Sequence, residues 1–189
     1  INRDVDRTGK MRGIDGFEQQ AFNLILGQAQ QAFSTKGESP NTLKRYGRRF
    51  GQSLLSARRL CEAGASFVTV SNGGWDMHSN VERSIKSRGA EIDQGVSALI
   101  EDLHDRGMQD DVLVVVTGEF GRTPRINKTG GRDHWGKLMS VLLAGGGLKM
   151  GQVIGKSNRN GEIPIERPIG PTDVLATIYR HLGIDTHRH

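Results

Sequence analysis

The sequence predicts a layered α/β fold, a mostly parallel sheet flanked by helices, and three observations carry that expectation. Apolar residues recur at helical spacing in four stretches. Three short apolar runs with strand character break into that periodicity. The resulting order is helix, helix, strand, helix, strand, loop, strand, helix, the alternation of an α/β chain rather than of a bundle or a sandwich.

From about Asp15 to Phe33, the residues Phe17, Ala21, Leu24, Ile25 and Ala29 share one helical face. The polar stretch STKGESPN follows, with Ser39 expected as an N-cap and Pro40 as the first helical residue. The helix that starts there is expected to reach Ala63, burying Phe50, Leu54, Leu55 and Leu60, with Gly64 as its stop. ASFVTVSN then has the β-branched content of a short buried strand, and the loop WDMHSN lies just beyond it. Asn80 to Arg106 predicts a long helix with Ile92, Val96, Leu99 and Leu103 inward and Gly107 at its end. DVLVVVTG is a second strand, too continuous to be half-exposed and suited to the middle of a parallel sheet. LMSVLLAGGG is a third. QVIGKSNRNGEIPIERPI holds turn signals and predicts a small β excursion, and Thr172 to Leu182 closes as a helix with Val174, Leu175, Ile178 and Leu182 inward. Residues 1–189 thus read as a single α/β domain, in which a helical segment over 1–63 packs on a strand-helix core over 64–189 that carries the site.

Composition narrows the function classes. Apolar residues make up 35% of the chain and charged residues 25%, and no apolar run approaches the roughly 18 residues of a membrane span. Cys61 is the sole cysteine, which leaves no internal disulfide. The net charge of +5 is concentrated in residues 1–63, which hold 11 Lys and Arg against 6 Asp and Glu. A basic half can bind nucleic acid, but the arginines of RRFGQSLLSARRL flank an apolar stripe and read as a solvated helix face, so no nucleic-acid partner is expected. The opening INRDVDRTGK carries neither Met nor a signal peptide and reads as an internal start. There is no P-loop, no dinucleotide-binding glycine fingerprint, no nucleophile elbow and no paired cysteine motif.

The polar clusters fall at strand ends: WDMH after the first strand, GEFGR after the second and GGRDHW before the third. The first two are expected at carboxyl ends of parallel strands, where open α/β sheets bind ligands. Asp76 and His78 are two residues apart and project to one side of an extended segment. With His134 they form an Asp/His/His set with an open fourth position, the pattern of a catalytic zinc site. Glu119, between Gly118 and Gly121, is a candidate ligand or general acid/base, or else a cap or a partner of Arg122. Arg122 and Arg132 are candidates for a phosphate, sulfate or carboxylate, or for neutralising the carboxylates beside them. Asp133 is placed to orient a ligating imidazole, and Trp75 and Trp135 to wall the pocket or to pack in the core. His104 and His181 lie in helices and read as structural, and His187 and His189 as tail.

Taken together, FGQSLLSARRLCEAGASFVTV, GWDMHSN, VVVTGEFGRTPRINKTGGRDHW, LLAGGG and DVLATIYRHLGID closely resemble domain of unknown function family 1501, over nearly the whole chain. The resemblance implies an alkaline phosphatase-like fold, with sulfatases, phosphatases and phosphomutases as distant relatives, and makes this chain similar to the C-terminal part of a longer, exported or periplasmic bacterial protein. It also implies a divalent metal, zinc first and calcium or manganese next, on Asp76, His78 and His134. Relatives space the first pair more widely and place an Asp-His pair where this sequence has Glu119-Phe120. Their nucleophile comes from an N-terminal half, and no residue here matches it. The implied function is metal-dependent hydrolysis of phosphate or sulfate esters, on a small anionic ester or a sulfated or phosphorylated glycan. The alternative is a non-catalytic member that binds a polysaccharide or protein at the cell surface.

Overall fold

The structure, a computed structural model, describes residues 31–186. Of the helix expected over 15–33 only the end falls within them, where Gln31 and Ala32 are helical; its apolar residues from Phe17 to Ala29, like His187 and His189, lie outside.

Helix α1 spans Pro40–Tyr46, and Ser39 caps it as expected, its hydroxyl accepting from the Thr42 N–H at 3.0 Å. The single helix expected from here to Ala63 is divided. Gly47, at φ 78°, ends α1, and α2 runs over Phe50–Glu62. A left-handed residue cannot continue an α-helix, and only glycine adopts that backbone without strain. Helix α3 covers Val81–Asp105, one residue inside each expected limit. The three helices pack together around Tyr46, Leu54, Leu55, Val96, Ala98, Leu99 and Leu103, with Phe50 and Ile92 at the edge of that cluster. Full burial of a side chain such as Leu55 is worth about 1.5–3 kcal/mol.

One feature of this core contradicts the reading of the basic helix as a solvated face. Arg58 is 1% exposed. It donates to Glu38 at 2.7 Å, pairs with Glu62, and its Nε lies 3.1 Å from Asp102. Tyr46 donates its hydroxyl to the same Asp102 at 3.0 Å, and Arg106 and Arg45 reach its other oxygen at 2.9 and 3.2 Å. The arginines of α1 and α2 therefore tie helices to one another.

The layered, mostly parallel alkaline phosphatase-like sheet is not what the chain forms. The described residues hold four helices and three antiparallel two-stranded sheets. Strands β1 (Leu113–Val116) and β4 (Leu142–Gly145) are the second and third strands expected, but they pair antiparallel, Leu113 opposite Gly145 and Val116 opposite Leu142. The first expected strand does not form a strand, and its Val70 packs on the core edge. Strands β2 (Gly121–Arg122) and β3 (His134–Trp135) form a short ladder, and β5 (Lys156–Ser157) with β6 (Pro164–Glu166) is the expected β excursion. Against expectation β1 is only half-buried along its length, and a continuous apolar run says nothing of its neighbour's direction, because pairing is fixed by residues distant in sequence.

Helix α4 spans Pro171–His181. Its inward face is not buried: Val174 and Ile178 are half-covered, while Leu175 and Leu182 are exposed. Among the described residues no helix is long and apolar enough to cross a membrane.

Candidate metal centre

The antiparallel pairing places the site. Because Val116 lies opposite Leu142, the carboxyl end of β1 and the amino end of β4 share one edge of the sheet. The chain leaving β1 and the chain entering β4 start and finish there, and the residues between them fold into the β2–β3 ladder, in which Arg122 sits opposite His134. GEFGR and GGRDHW meet without any parallel strand.

The loop before β3 is shaped by Asn127. Its side chain accepts from the N–H groups of Thr129 and Gly131 at 3.1 and 2.9 Å, and it donates to the His78 carbonyl at 3.0 Å and to Asp133 at 3.2 Å. Thr129 donates to the same His78 carbonyl at 2.7 Å. The loop also closes the start of α3, whose Val81 N–H donates to the Gly130 carbonyl at 2.9 Å and so satisfies one of the otherwise orphaned donors. Gly131 is buried against His78 so tightly that any Cβ there would overlap the His78 carbonyl. WDMH is thereby held across the loop that carries GGRDHW.

Three ligand-capable atoms converge in consequence. Asp76 Oδ1 lies 2.8 Å from His134 Nε2 and 2.9 Å from His78 Nε2, and the two Nε2 atoms are 3.2 Å apart. Arg122 donates to Asp76 Oδ1 at 2.6 Å and to the Arg132 carbonyl at 3.2 Å. The Phe120 ring packs on His134 with centroids 4.4 Å apart, and the Arg122 guanidinium lies 5.9 Å from the centre of that ring. On the far side of His78, Nδ1 stands 2.8 Å from Asp133 Oδ1. The His134 hydrogen bond first, and then Arg122, hold the Asp76 carboxyl well below the usual carboxylate range. His78 and then Asn127 lower Asp133 in the same way.

The donors fit a divalent cation. Asp133 accepts only if the proton of a neutral His78 sits on Nδ1, and that tautomer aims a bare Nε2 lone pair at a carboxylate oxygen and at a second imidazole nitrogen. Such convergence is met either by the one N–H of a neutral His134, placed on Nε2 and donating to Asp76, or by a cation between the atoms. The separations of 2.8, 2.9 and 3.2 Å lie a little under the edge of about 3.3 Å in a tetrahedron with zinc-ligand bonds near 2.0 Å. Among the described residues this is the one group of His, Cys, Asp and Glu so arranged, and all three members are exposed.

Other expected site residues stand apart. Glu119 is exposed and makes no hydrogen bond or ion pair among the described residues, with Arg122 or otherwise. The Arg132 carbonyl serves the site through Arg122, while its guanidinium has no hydrogen bond or ion pair among the described residues. The indoles are tied elsewhere: Trp75 donates to Asn72 and Trp135 to the Glu162 carbonyl, each at 2.7 Å, so Trp135 pins β3 to the turn between β5 and β6. Asn127 is the functional residue that the sequence reading passes over. Its signal was the run Asn-Lys-Thr-Gly-Gly, whose Asn and glycines mark a side-chain-stabilised turn.

Compared with known families, the chain matches the one described as protein of unknown function, DUF1501, over residues 5–189. It belongs to the DUF1501 family. No curated protein and no solved structure matches this DUF1501 chain.

Proposed function

We propose that Asp76, His78 and His134 bind one divalent cation, zinc in the first place, and that the protein is a metal-dependent hydrolase of phosphate or sulfate esters. The observation that carries the metal is the convergence of three ligand-capable atoms, one of them on an imidazole whose other nitrogen is held by a carboxylate. The ester class rests on the sequence resemblance, which the fold does not carry, and on the Arg122 guanidinium beside a site with an open position. Calcium or manganese would suit the carboxylate, but two imidazoles favour zinc.

In this reading the metal supplies Lewis acidity toward an ester oxygen or a bound water. The residues do the rest. Asp133 fixes the His78 ring and its tautomer, and Asn127 fixes Asp133. The β2–β3 ladder sets His134 beside Arg122, and the Phe120 ring shields one face of His134 from water. Arg122 offers two N–H groups in a plane suited to a tetrahedral anion. An exported or periplasmic setting fits this role.

Phe120 favours a second reading, a non-catalytic binding module for a glycan or protein. It packs on His134 where the superfamily places further ligands, and a phenyl ring cannot ligate. Two nearby hydroxyls are also in structural use, Thr123 donating to the Arg125 carbonyl and Thr129 to that of His78.

Metal content, measured by plasma mass spectrometry on protein purified without chelator, tests the first claim. About one zinc per chain, lost in His134→Ala, is the expected result. Turnover of aryl phosphate or aryl sulfate by the zinc-loaded protein then separates hydrolase from binding module. Absence of zinc in the wild type would remove both the metal and the hydrolase.

A further inference from the structure

Arg122 occupies a position that a metal-binding site would not ordinarily give to a cation. Its NH2 group lies 2.6 Å from Asp76 Oδ1, the same oxygen that faces both His78 Nε2 and His134 Nε2. A carboxylate oxygen has two lone pairs, and here three nitrogen atoms already crowd it. A guanidinium and a divalent cation on that one oxygen would also repel each other at contact distance. The arginine is not free to leave altogether. It remains tied to the Arg132 carbonyl through NH1 at 3.2 Å, and its guanidinium stays near the Phe120 ring that covers His134. Its side chain is 23% exposed, so solvent and solutes reach it.

We propose that Arg122 is a metal-gated anion clamp. In the metal-free site it holds Asp76 in place. When a divalent cation takes Asp76 Oδ1, the guanidinium lets go of that oxygen and turns its fork to a tetrahedral oxyanion, phosphate or sulfate, beside the metal. The inference rests on the metal reading above and adds an order to it: cation first, anion second. Arg132 is the poorer clamp, because the site uses its carbonyl while its guanidinium has no partner in the cluster.

Two consequences distinguish this from an arginine that merely props up Asp76. Binding of the two ligands is coupled, and the coupling is reciprocal: an oxyanion that engages the released guanidinium tightens the metal by the factor with which the metal tightens the oxyanion. In the absence of any oxyanion, the arginine competes with the metal, so its removal raises metal affinity.

The experiment is a zinc titration against a chromogenic chelator in oxyanion-free buffer, repeated with inorganic phosphate and with sulfate. It uses the whole chain as wild type, Arg122→Met and Arg122→Lys, with circular dichroism to confirm folding of each. For the wild type, zinc affinity is expected to rise about tenfold with at least one of the two anions. A response to phosphate alone marks a phosphate ester site, one to sulfate alone a sulfate ester site, and one to both a general oxyanion clamp. Arg122→Met is expected to bind zinc more tightly than wild type without anion and to show no anion response. Arg122→Lys keeps a point charge for Asp76 but no fork, and most of its anion response should vanish. Wild-type zinc affinity unmoved by either anion, or weaker zinc binding in Arg122→Met, would overturn the clamp while leaving the metal site standing. A wild type that binds no zinc would overturn the metal reading and the clamp with it.

Discussion

Two clusters of charge in this chain are built from similar parts and behave in opposite ways. One, around Arg58, lies between helices: its Arg58 and Asp102 side chains are 1% and 4% exposed. The other, around Asp76, lies on loops, and Asp76 and His134 are 65% and 51% exposed. In the buried cluster cations and anions are matched, since Arg58, Arg59, Arg45 and Arg106 face Glu38, Glu62, Asp102 and Asp105. Charges there complete one another. In the exposed cluster two imidazole nitrogens and a carboxylate oxygen converge on one point, with a single guanidinium beside them. A polar group that is satisfied internally points to structure. One whose ligand-capable atoms converge at an exposed point is a candidate ligand site.

Substitutions test that distinction, the largest effect coming from the buried side. Arg58→Ala would leave Glu38 and Asp102 short of a partner where water does not reach, and should cost about 3 kcal/mol in urea unfolding. That figure is the low end for a buried pair, because Arg59 and Arg106 remain on those carboxylates. A loss under about 0.5 kcal/mol, the usual scale of surface changes, would show the network to be idle.

Gly131→Ala strikes the exposed site through its scaffold. The added Cβ must push the loop off the His78 carbonyl, so we expect about 1–3 kcal/mol of destabilisation together with loss of zinc binding. Zinc retained at full stoichiometry in this variant would mean that the loop does not set the ligand geometry.

Acid acts on the buried region in a defined direction. Burial pushes Glu38 up, but hydrogen bonds from Arg58 and Arg59 outweigh it and hold the carboxyl below its ordinary 4.5. Asp102 is likewise raised by burial and lowered further by Arg106 and Tyr46, to below its ordinary 3.8. Each binds fewer protons folded than unfolded, so its stabilisation is fully present above those ordinary values and is lost as pH falls through the lower folded ones. Unfolding midpoints should therefore drop on going below about pH 4, and less steeply in Arg58→Ala. An unchanged slope in that variant would detach Arg58 from the two carboxylates.

The smallest effect is the most diagnostic of the contrast. With chelator present, His134→Ala should change stability by less than about 0.5 kcal/mol, since an exposed imidazole contributes little to the fold itself. With zinc present, the wild type alone should gain stability from the ligand. A large loss in chelator would make His134 a structural residue like Arg58.

Much of this contrast was readable from the sequence, and the unread parts share a cause. Helix α3 was visible because Ile92, Val96, Leu99 and Leu103 repeat along one face, a local signal. The cluster of Asp76, His78 and His134 was visible because WDMH and GGRDHW bring rare ligand-capable types to the ends of strand-like runs. What was hidden depended on partners far along the chain. The pairing of β1 with β4 is antiparallel because of how the intervening loop returns, and no run of valines records that. Arg58 looked like any surface arginine of an amphipathic helix, since Glu38 and Asp102 lie 20 residues before it and 44 after it. The break at Gly47 was local, but a glycine within a helical pattern is compatible with either continuation or termination.

X-ray absorption spectroscopy at the zinc edge, on zinc-loaded protein, tests the central claim most directly. The account predicts two imidazole nitrogens and a carboxylate oxygen at about 2.0–2.2 Å, with one imidazole shell lost in His134→Ala. A zinc environment without imidazole, or one unchanged by that substitution, would contradict it.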